Sequence, residues 1–336
     1  MVRRTIRVAA LLLLLGTAVG GQAAPSILGG RSLVHAHNAY PEDGRWRDRI
    51  DRAIATGQVP IVIEQDLAYA PRNEPGDRTV VSHDATLQGS EPSLQQHFFD
   101  RVRPIMERAL AARQAQQWPV MVLHLDFKTN EREHHRAVWD LLVKHQAWLT
   151  TAAADPDPMH VSDYTRGPLL VLTENGPGQE RNFTEWAAAS GKLLLFGSIP
   201  GPAVRQTDDP AERARILIAA PPHQLIPTAA TSYRRWVNFP WMVIEDSGPT
   251  AAGDWTSQDE QRLQAVVGYA HQQGLMVRFY TLNGHPSADG RGWSSGYNFG
   301  SIEAVRLRWR AAIGAGVDLI ATDQYEELAA LMPRSR

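Results

Sequence analysis

The chain has 336 residues, of which 43% are hydrophobic and 21% charged, with a formal net charge of −2 at pH 7. This length suits one large domain or two small ones, and the charge balance indicates neither nucleic acid nor an anionic membrane surface as the main partner. Because the sequence contains no cysteine, disulfides, thiolate metal sites and cysteine nucleophiles are excluded.

The N-terminus has the order of a secretory signal peptide. Arginines among the first seven residues precede an apolar run from Val8 to about Val19, and small residues follow. That run is short for a membrane anchor, the alternative, because spanning a bilayer takes roughly 20 residues. We therefore predict a signal peptide over residues 1–24 and an exported domain, periplasmic or secreted, over residues 25–336 with no stable membrane span.

Short apolar runs then alternate with amphipathic stretches. Eight runs predict strands, and several are continuously apolar, as in parallel strands covered on both faces: 32–37, 60–66, 120–128, 168–173, 193–198, 242–245, 276–282 and 317–322. The stretches between them predict helices at 45–56, 98–116, 132–146, 184–190, 257–273 and 301–315. This alternation predicts an α/β fold, a single-domain (β/α)8 TIM barrel, with a doubly wound sheet as the alternative.

Polar side chains gather where predicted strands end. Residues two apart in a strand face the same side, so Glu64 projects with Asp66, and Asp126 with Lys128. His37 ends the first predicted strand, and a second histidine, at position 83, follows a short extended run after the second strand. Because TIM-barrel active sites lie at the C-terminal ends of the strands, these side chains predict one common site.

The residue types indicate a metal site with acid–base chemistry. The carboxylates of Glu64, Asp66 and Asp126 form an oxygen-rich set that favours a divalent metal ion, Mg²⁺ or Ca²⁺, over zinc. Two histidines on opposite sides of a phosphorus atom would divide the proton transfers, and a lysine would stabilise the developing oxyanion. For each residue alone, the alternative is an ordinary packed histidine, a loop cap or a strand-end ion pair.

Ordered sequence blocks carry a family resemblance over about residues 32–331. "HAHNAY", "IEQDL", "VVSHD" and "LHLDFK" resemble blocks of the glycerophosphodiester phosphodiesterase and phosphatidylinositol phospholipase C-like superfamily. "LTENG", "FGSIPG" and "RFYTLN" resemble the branch that includes the fungal altered inheritance of mitochondria protein 6 group. The resemblance implies a metal-dependent phosphoric diester hydrolase that cleaves a glycerophosphodiester or phospholipid-type substrate.

The same resemblance implies roles for individual residues. His37 and His83 would be the acid and base, with Lys128 and Asn38 at the phosphate and Glu64, Asp66 and Asp126 on the metal. Asn38 and Asp126 stand where many members carry arginine and glutamate, so a lyase that releases a cyclic phosphate is the alternative activity. Ala39 and Tyr280 also replace usual residues, which leaves open an exported binding protein without turnover.

Further candidates follow from position along the chain. Glu245 ends the predicted sixth strand and is expected either to reach the metal or the substrate or, as the alternative, to form a loop ion pair. Arg278 shares a strand face with Tyr280 and is expected to bind a phosphate through two hydrogen bonds. Asp84 and Asp323 are expected to orient a histidine through its second nitrogen.

Two other features complete the prediction. A glycoside hydrolase would need an opposed carboxylate pair, such as Glu64 with Glu245, but it gives no role to the lysine or the histidines. The glycine-rich stretch 283–300 contains Trp293, Tyr297 and Phe299, which predict an apolar lid over an alcohol or lipid group or, as the alternative, ordinary packing of this loop onto the barrel. The expected partner is a small-molecule or lipid substrate bound by a monomer.

Overall fold

Parallel strands close into a barrel in the computed structural model, which describes Leu28, residues 30–41, 47–113, 118–157, 160–246, Pro249, 253–286 and 295–333. The strands are Leu33–Ala36 (β1), Ile61–Tyr69 (β2), Thr79–Val81 (β3), Met121–Phe127 (β4), Thr151–Ala153 (β5), Tyr164–Thr165 (β6), Leu169–Thr173 (β7), Lys192–Leu193 (β8), Phe196–Ser198 (β9), Arg234–Pro240 (β10), Met276–Tyr280 (β11) and Leu319–Thr322 (β12). The predicted signal peptide and Trp293 lie outside the described residues.

The barrel wall runs in the order β1, β2, β4, β7, β9, β10, β11 and β12, and β12 pairs back onto β1. Every pairing in this ring is parallel. The helices are Arg49–Ala55 (α1), Asp100–Ala111 (α2), Arg132–Lys144 (α3), Gln179–Ser190 (α4), Pro210–Ala219 (α5), Pro222–Leu225 (α6), Ser257–Gln272 (α7), Ile302–Ala315 (α8) and Tyr325–Ala329 (α9). The predicted single-domain (β/α)8 TIM barrel is confirmed.

Apolar side chains on both faces of the strands hold the barrel together. β1, β7 and β12 are buried throughout, which matches their largely apolar sequences. Helix α7 packs through one face, formed by Leu263, Val266, Val267 and Ala270. Each fully buried large apolar side chain stabilises the fold by about 1.5–3 kcal/mol. The packed core therefore supports the strand ends. Within the described residues, no helix combines the length and hydropathy needed to cross a bilayer.

The sixth barrel strand lies earlier than predicted. The strand is Arg234–Pro240, whereas the predicted segment 242–245 begins in a 3₁₀ turn, Trp241–Val243. Polar Asn238 faces the pocket, and the guanidinium of Arg235 lies 4.8 Å from the ring centre of Tyr164. These polar positions hide the strand from a search for apolar runs. The predicted fifth strand is also divided, into β8 and β9.

Strand β2 extends beyond the barrel wall. Its last residues pair antiparallel with β3, so that Leu67 faces Val81 and Tyr69 faces Thr79. The amide of Ser82 donates to the carbonyl of Asp66 at 3.0 Å. This hairpin carries the chain after β3 back over the C-terminal rim of the barrel.

Candidate active site

A pocket of about 750 Å³ opens at the C-terminal ends of the barrel strands. It brings together most of the predicted site residues: His37, Asn38, Glu64, Asp66, His83, Asp126, Lys128, Arg278 and Tyr280. Asp84, Glu245 and Asp323 do not line it. Side chains far apart in the sequence therefore meet at the rim where TIM barrels place their sites.

Three carboxylates converge in this pocket. Strands β2 and β4 run in register, with Asp66 beside Asp126, and Glu64 lies two residues before Asp66 on the same face. Glu64, Asp66 and Asp126 each offer an oxygen, and these oxygens lie within 4.8 Å of one another. Carboxylate oxygens are the ligands that a hard divalent cation prefers.

Asp66 is only partly satisfied by its neighbours. Its Oδ2 accepts from the hydroxyl of Tyr40 at 2.9 Å and lies 2.8 Å from Lys128 Nζ. Its Oδ1 is buried and accepts no hydrogen bond from the part of the chain that the structure describes. Burial and Asp126 raise the pKa of Asp66 to about 7, although Lys128 opposes that rise. A buried carboxylate oxygen without a partner is costly, and a cation at this point would satisfy it.

Lys128 joins the two aspartates. Its ammonium lies 2.8 Å from an oxygen of Asp66 and 2.8 Å from an oxygen of Asp126. Burial alone would lower the pKa of Lys128, but the two carboxylates raise it, so the side chain is positively charged at neutral pH. The lysine reduces the repulsion between the aspartates and presents a cation to the pocket.

Glu64 is the anchor of a buried polar network. Arg278 Nη2 donates to both of its carboxylate oxygens at 2.9 and 3.0 Å, and Arg278 Nε donates to His35 Nδ1 at 3.1 Å. Burial raises the pKa of Glu64, but Arg278, His37 and His124 lower it by more, and the carboxyl is ionised. Because His35 Nδ1 accepts a hydrogen bond, its ring is neutral with the proton on Nε2.

Glu174 is a pocket residue that was not predicted from the sequence. This residue directly follows β7 and lines the pocket, with Oε1 3.2 Å from His124 Nε2. His124 is fully buried between Glu174 and Glu64; burial lowers its pKa, but the two carboxylates raise it to about 9. The position of Glu174 next to the end of a predicted strand could have identified it, since Asp66 was identified by its position at a strand end.

His37 is held by residues from both ends of the chain. Its Nδ1 lies 3.3 Å from Asp323 Oδ1 and 2.8 Å from Asn38 Nδ2. Asp323 also accepts from Arg49 Nη1 at 2.8 Å, and the ring of Tyr297 stacks on His37 with 5.6 Å between ring centres. The structure thus places Asp323 beside His37, where a histidine-orienting carboxylate was predicted.

Asn38 has a backbone conformation that few residues other than glycine adopt. Its φ is 53°, in the left-handed region. Its amide N–H donates to Glu64 Oε2 at 3.3 Å, and its side-chain oxygen lies 2.9 Å from the Tyr40 hydroxyl. These contacts stabilise the unusual turn and direct the side chain to the pocket.

His83 lies at the edge of the same pocket and is half-exposed. Its Nε2 is 4.0 Å from Asp66 Oδ2, and its Nδ1 is 3.8 Å from the exposed Asp84. Burial and Lys128 lower the pKa of His83, so an unprotonated nitrogen is available at neutral pH. The pocket therefore contains two histidines in different environments.

Glu245 does not take the predicted position. It is buried in an ion pair with Arg308 and accepts from Trp241 Nε1 at 3.0 Å. The expected contact with the metal or the substrate is wrong and the ion-pair alternative is the one observed, because the sixth strand ends at Pro240 and Glu245 is not at a strand end. Because Glu245 lies outside the pocket, Glu64 and Glu245 do not form the opposed carboxylate pair that a glycoside hydrolase would need.

Two tyrosines form one wall of the pocket. The ring centres of Tyr280 and Tyr297 are 6.0 Å apart, and burial raises the pKa of both phenols. Phe299, predicted to share a lid with Tyr297, instead packs under the guanidinium of Arg308 at 5.0 Å. Of the predicted lid residues that the structure describes, Tyr297 alone lines the pocket.

No family model and no curated protein matches the chain. Matching solved structures include dihydropteroate synthase from Thermus thermophilus, at 15% identity, a TM-score of 0.37, and coverage of 89% of this chain and 91% of that one. They also include HPPK-DHPS of Plasmodium falciparum with pterin and p-hydroxybenzoate, at 12% identity, a TM-score of 0.40, and coverage of 89% and 47%. This chain thus spans about half of the Plasmodium protein.

These comparisons contradict the family prediction. No phosphodiesterase family model matches, and the matching Thermus structure is a dihydropteroate synthase rather than a phosphodiesterase. The predicted phosphoric diester hydrolase activity, its lipid substrate and its cyclising lyase alternative rested on that family and are corrected with it. At this identity and these TM-scores, the likeness assigns no activity to this chain.

Proposed function

We propose that the chain is a divalent-cation-dependent enzyme that acts on a small anionic molecule at this pocket. Mg²⁺ or Ca²⁺ would be held by Glu64, Asp66 and Asp126. The observation that supports this most directly is the buried Oδ1 of Asp66, which accepts no hydrogen bond from the described residues, in a cluster where Glu64, Asp66 and Asp126 each offer an oxygen within 4.8 Å of the others. Export through the predicted signal peptide is part of this proposal.

The chemistry of the donor set fits a hard cation. Carboxylate oxygens are the preferred ligands of Mg²⁺ and Ca²⁺, and the set contains no sulfur. When bound, such a cation supplies positive charge that attracts an anionic oxygen of the ligand. Lys128 lies against the same aspartates and would bind a second oxygen of that anion.

The two histidines would carry the proton transfers. His37 is oriented by Asp323 and covered by Tyr297, which restricts its ring to one position. In contrast to the buried His37, His83 is half-exposed and so can exchange its proton with water. A pair of histidines in such different surroundings suits the division between an acid and a base.

Cation binding tests the proposal directly. The protein is stripped with EDTA and titrated with Mn²⁺ by calorimetry, alongside the variants Asp66→Asn and Asp126→Asn. Each variant is expected to lose more than roughly tenfold in affinity, since even the partners of metal ligands contribute about 10- to 100-fold. Asp208→Asn, at an exposed aspartate, is the matched control and should bind like the wild type.

Two outcomes would refute the proposal. The first is a wild-type protein that binds no Mn²⁺. The second is an Asp66→Asn variant that binds Mn²⁺ as tightly as the control, since the orphaned oxygen would then have no part in the site.

A further inference from the structure

We infer that Glu174 selects ligands that carry hydroxyl groups, so that the molecule bound in the pocket is a polyhydroxylated anion, such as a sugar acid or a polyol phosphate. The inference rests on the proposed function, because it concerns the end of the ligand that lies away from the carboxylate cluster. It depends on the geometry around Glu174, Asn238 and Ser198.

Strand pairing puts two open polar groups side by side. Thr173 pairs with Gly197 between β7 and β9, so the next residues along, Glu174 and Ser198, are neighbours on the rim. Both line the pocket. Polar groups on adjacent parallel strands at this spacing are well placed to contact successive hydroxyls of one ligand.

One oxygen of Glu174 is already used by the protein. Arg278 Nη1 donates to Asn238 Oδ1 at 2.9 Å, which fixes the amide so that its NH₂ group faces Glu174. Asn238 Nδ2 then donates to Glu174 Oε1 at 2.9 Å, and His124 Nε2 lies 3.2 Å from the same oxygen. The carboxylate is therefore held in one orientation.

The other oxygen of Glu174 is left for a ligand. Within the described residues, Glu174 Oε2 has no hydrogen-bond or ion-pair partner, and neither has the hydroxyl of Ser198. The side chain of Glu174 is 24% exposed, and Ser198 is buried at the pocket wall. A ligand hydroxyl can donate to the carboxylate and accept from the serine, so it matches both open groups.

A neutral donor fits better here than a cationic one. His124 and Asn238 already contact the Glu174 carboxylate and stabilise its negative charge, so the ligand need not supply a cation. Arg278 lies immediately behind Asn238, and a ligand ammonium would be placed near that guanidinium. The ligand class that satisfies both ends of the pocket is thus an anion with hydroxyls.

Matched ligands test the inference. The EDTA-treated, Mn²⁺-loaded protein is titrated with D-gluconate and with hexanoate, and separately with D-sorbitol 6-phosphate and with hexyl phosphate. The wild type is expected to prefer the hydroxylated member of each pair by about tenfold or more, the value of one hydrogen bond to a charged group. Comparing the two pairs shows whether the anion is a carboxylate or a phosphate.

Glu174→Gln should reduce that preference by about tenfold while leaving Mn²⁺ affinity unchanged, because the amide oxygen keeps the contacts to Asn238 and turns an NH₂ group toward the ligand. Glu303→Gln, at an exposed glutamate, should behave as the wild type. An equal affinity for both members of each pair, no binding of any hydroxylated probe up to millimolar concentration, or an unchanged preference in Glu174→Gln would overturn the inference. Loss of Mn²⁺ binding by the wild type would instead refute the proposed function.

Discussion

Arg278 Nη2 donates to both carboxylate oxygens of Glu64, at 2.9 and 3.0 Å, with both side chains buried. The pair connects β11 to β2 across the interior of the barrel. Attraction between buried charges roughly balances the cost of removing them from water, so the pair matters most when one partner is lost.

Replacement of the arginine should therefore be severe. Arg278→Met would leave Glu64 buried without its guanidinium, and we expect the free energy of unfolding to fall by about 3–5 kcal/mol. Urea denaturation measures this value, with Arg310→Met at an exposed arginine as the control. Equal stability of the two variants would show that Glu64 does not need Arg278.

The pair of Glu245 and Arg308 should matter for stability alone. Glu245→Leu leaves Arg308 without its buried partner and is expected to cost about 3–5 kcal/mol, whereas Glu245→Leu with Arg308→Met should cost less than the sum of the two single changes. Because neither residue lines the pocket, Mn²⁺ affinity should be unchanged in all three variants. A loss of Mn²⁺ binding in Glu245→Leu, with the fold intact, would contradict the position of this residue.

Lys128 should compete with a bound cation. Its ammonium lies 2.8 Å from both aspartates, so Lys128→Met removes a positive charge from the cation site. We expect Mn²⁺ to bind several-fold more tightly to this variant and D-gluconate to bind more weakly. Calorimetry of the two ligands measures both effects, and weaker binding of Mn²⁺ would show that the lysine is needed to shape the site.

Acid should destabilise the protein through its buried histidines. Burial lowers the pKa of His134 to about 4, against about 6.5 in an unfolded chain, although its bond to the Thr129 carbonyl opposes this. Between these values the unfolded state binds more protons, so stability falls as the pH falls. The contribution of neutral His134 is complete above about pH 6.5 and is lost progressively as the pH falls from about 6.5 to about 4, which amounts to about 3 kcal/mol.

His134→Asn tests this dependence. The difference in unfolding free energy between pH 7 and about pH 4.5 should be smaller in this variant than in the wild type, and His223→Asn, at an exposed histidine, should leave it unchanged. The remaining acid sensitivity is assigned to other buried histidines such as His97, whose pKa burial also lowers to about 4. An unaltered difference in His134→Asn would contradict the assignment.

The barrel was predictable where strands are apolar on both sides. Short runs such as "LLVLT" indicate strands buried on two faces, and the strand–helix alternation then predicts the fold. The sixth strand was missed because Arg235 and Asn238 interrupt its apolar pattern, while the neighbouring apolar segment forms a turn. Helices α6 and α9 have only four and five residues, and α5, with ten, buries only Leu217, so no apolar stripe marked any of the three.

The candidate site was predictable at the level of which strand ends contribute. Glu64, Asp66 and Asp126 were found because residues two apart share a face. Glu174 and Asn238 were missed because a single polar residue at a strand end looks like any loop residue, and only the closed ring makes them neighbours of the cluster. The pairing of Glu245 with Arg308 joins residues 63 positions apart, which no local pattern reveals.

The last strand completes the surroundings of the first histidine. The His37 amide donates to Thr322 at 3.2 Å, and the Tyr325 hydroxyl donates to the His37 carbonyl at 2.6 Å. A chain still emerging from the ribosome, or one cut short before Leu319, has no partner for this segment. Ligand binding at the rim would then show that the ring has closed, because we expect no binding until β12 has paired with its neighbouring strands.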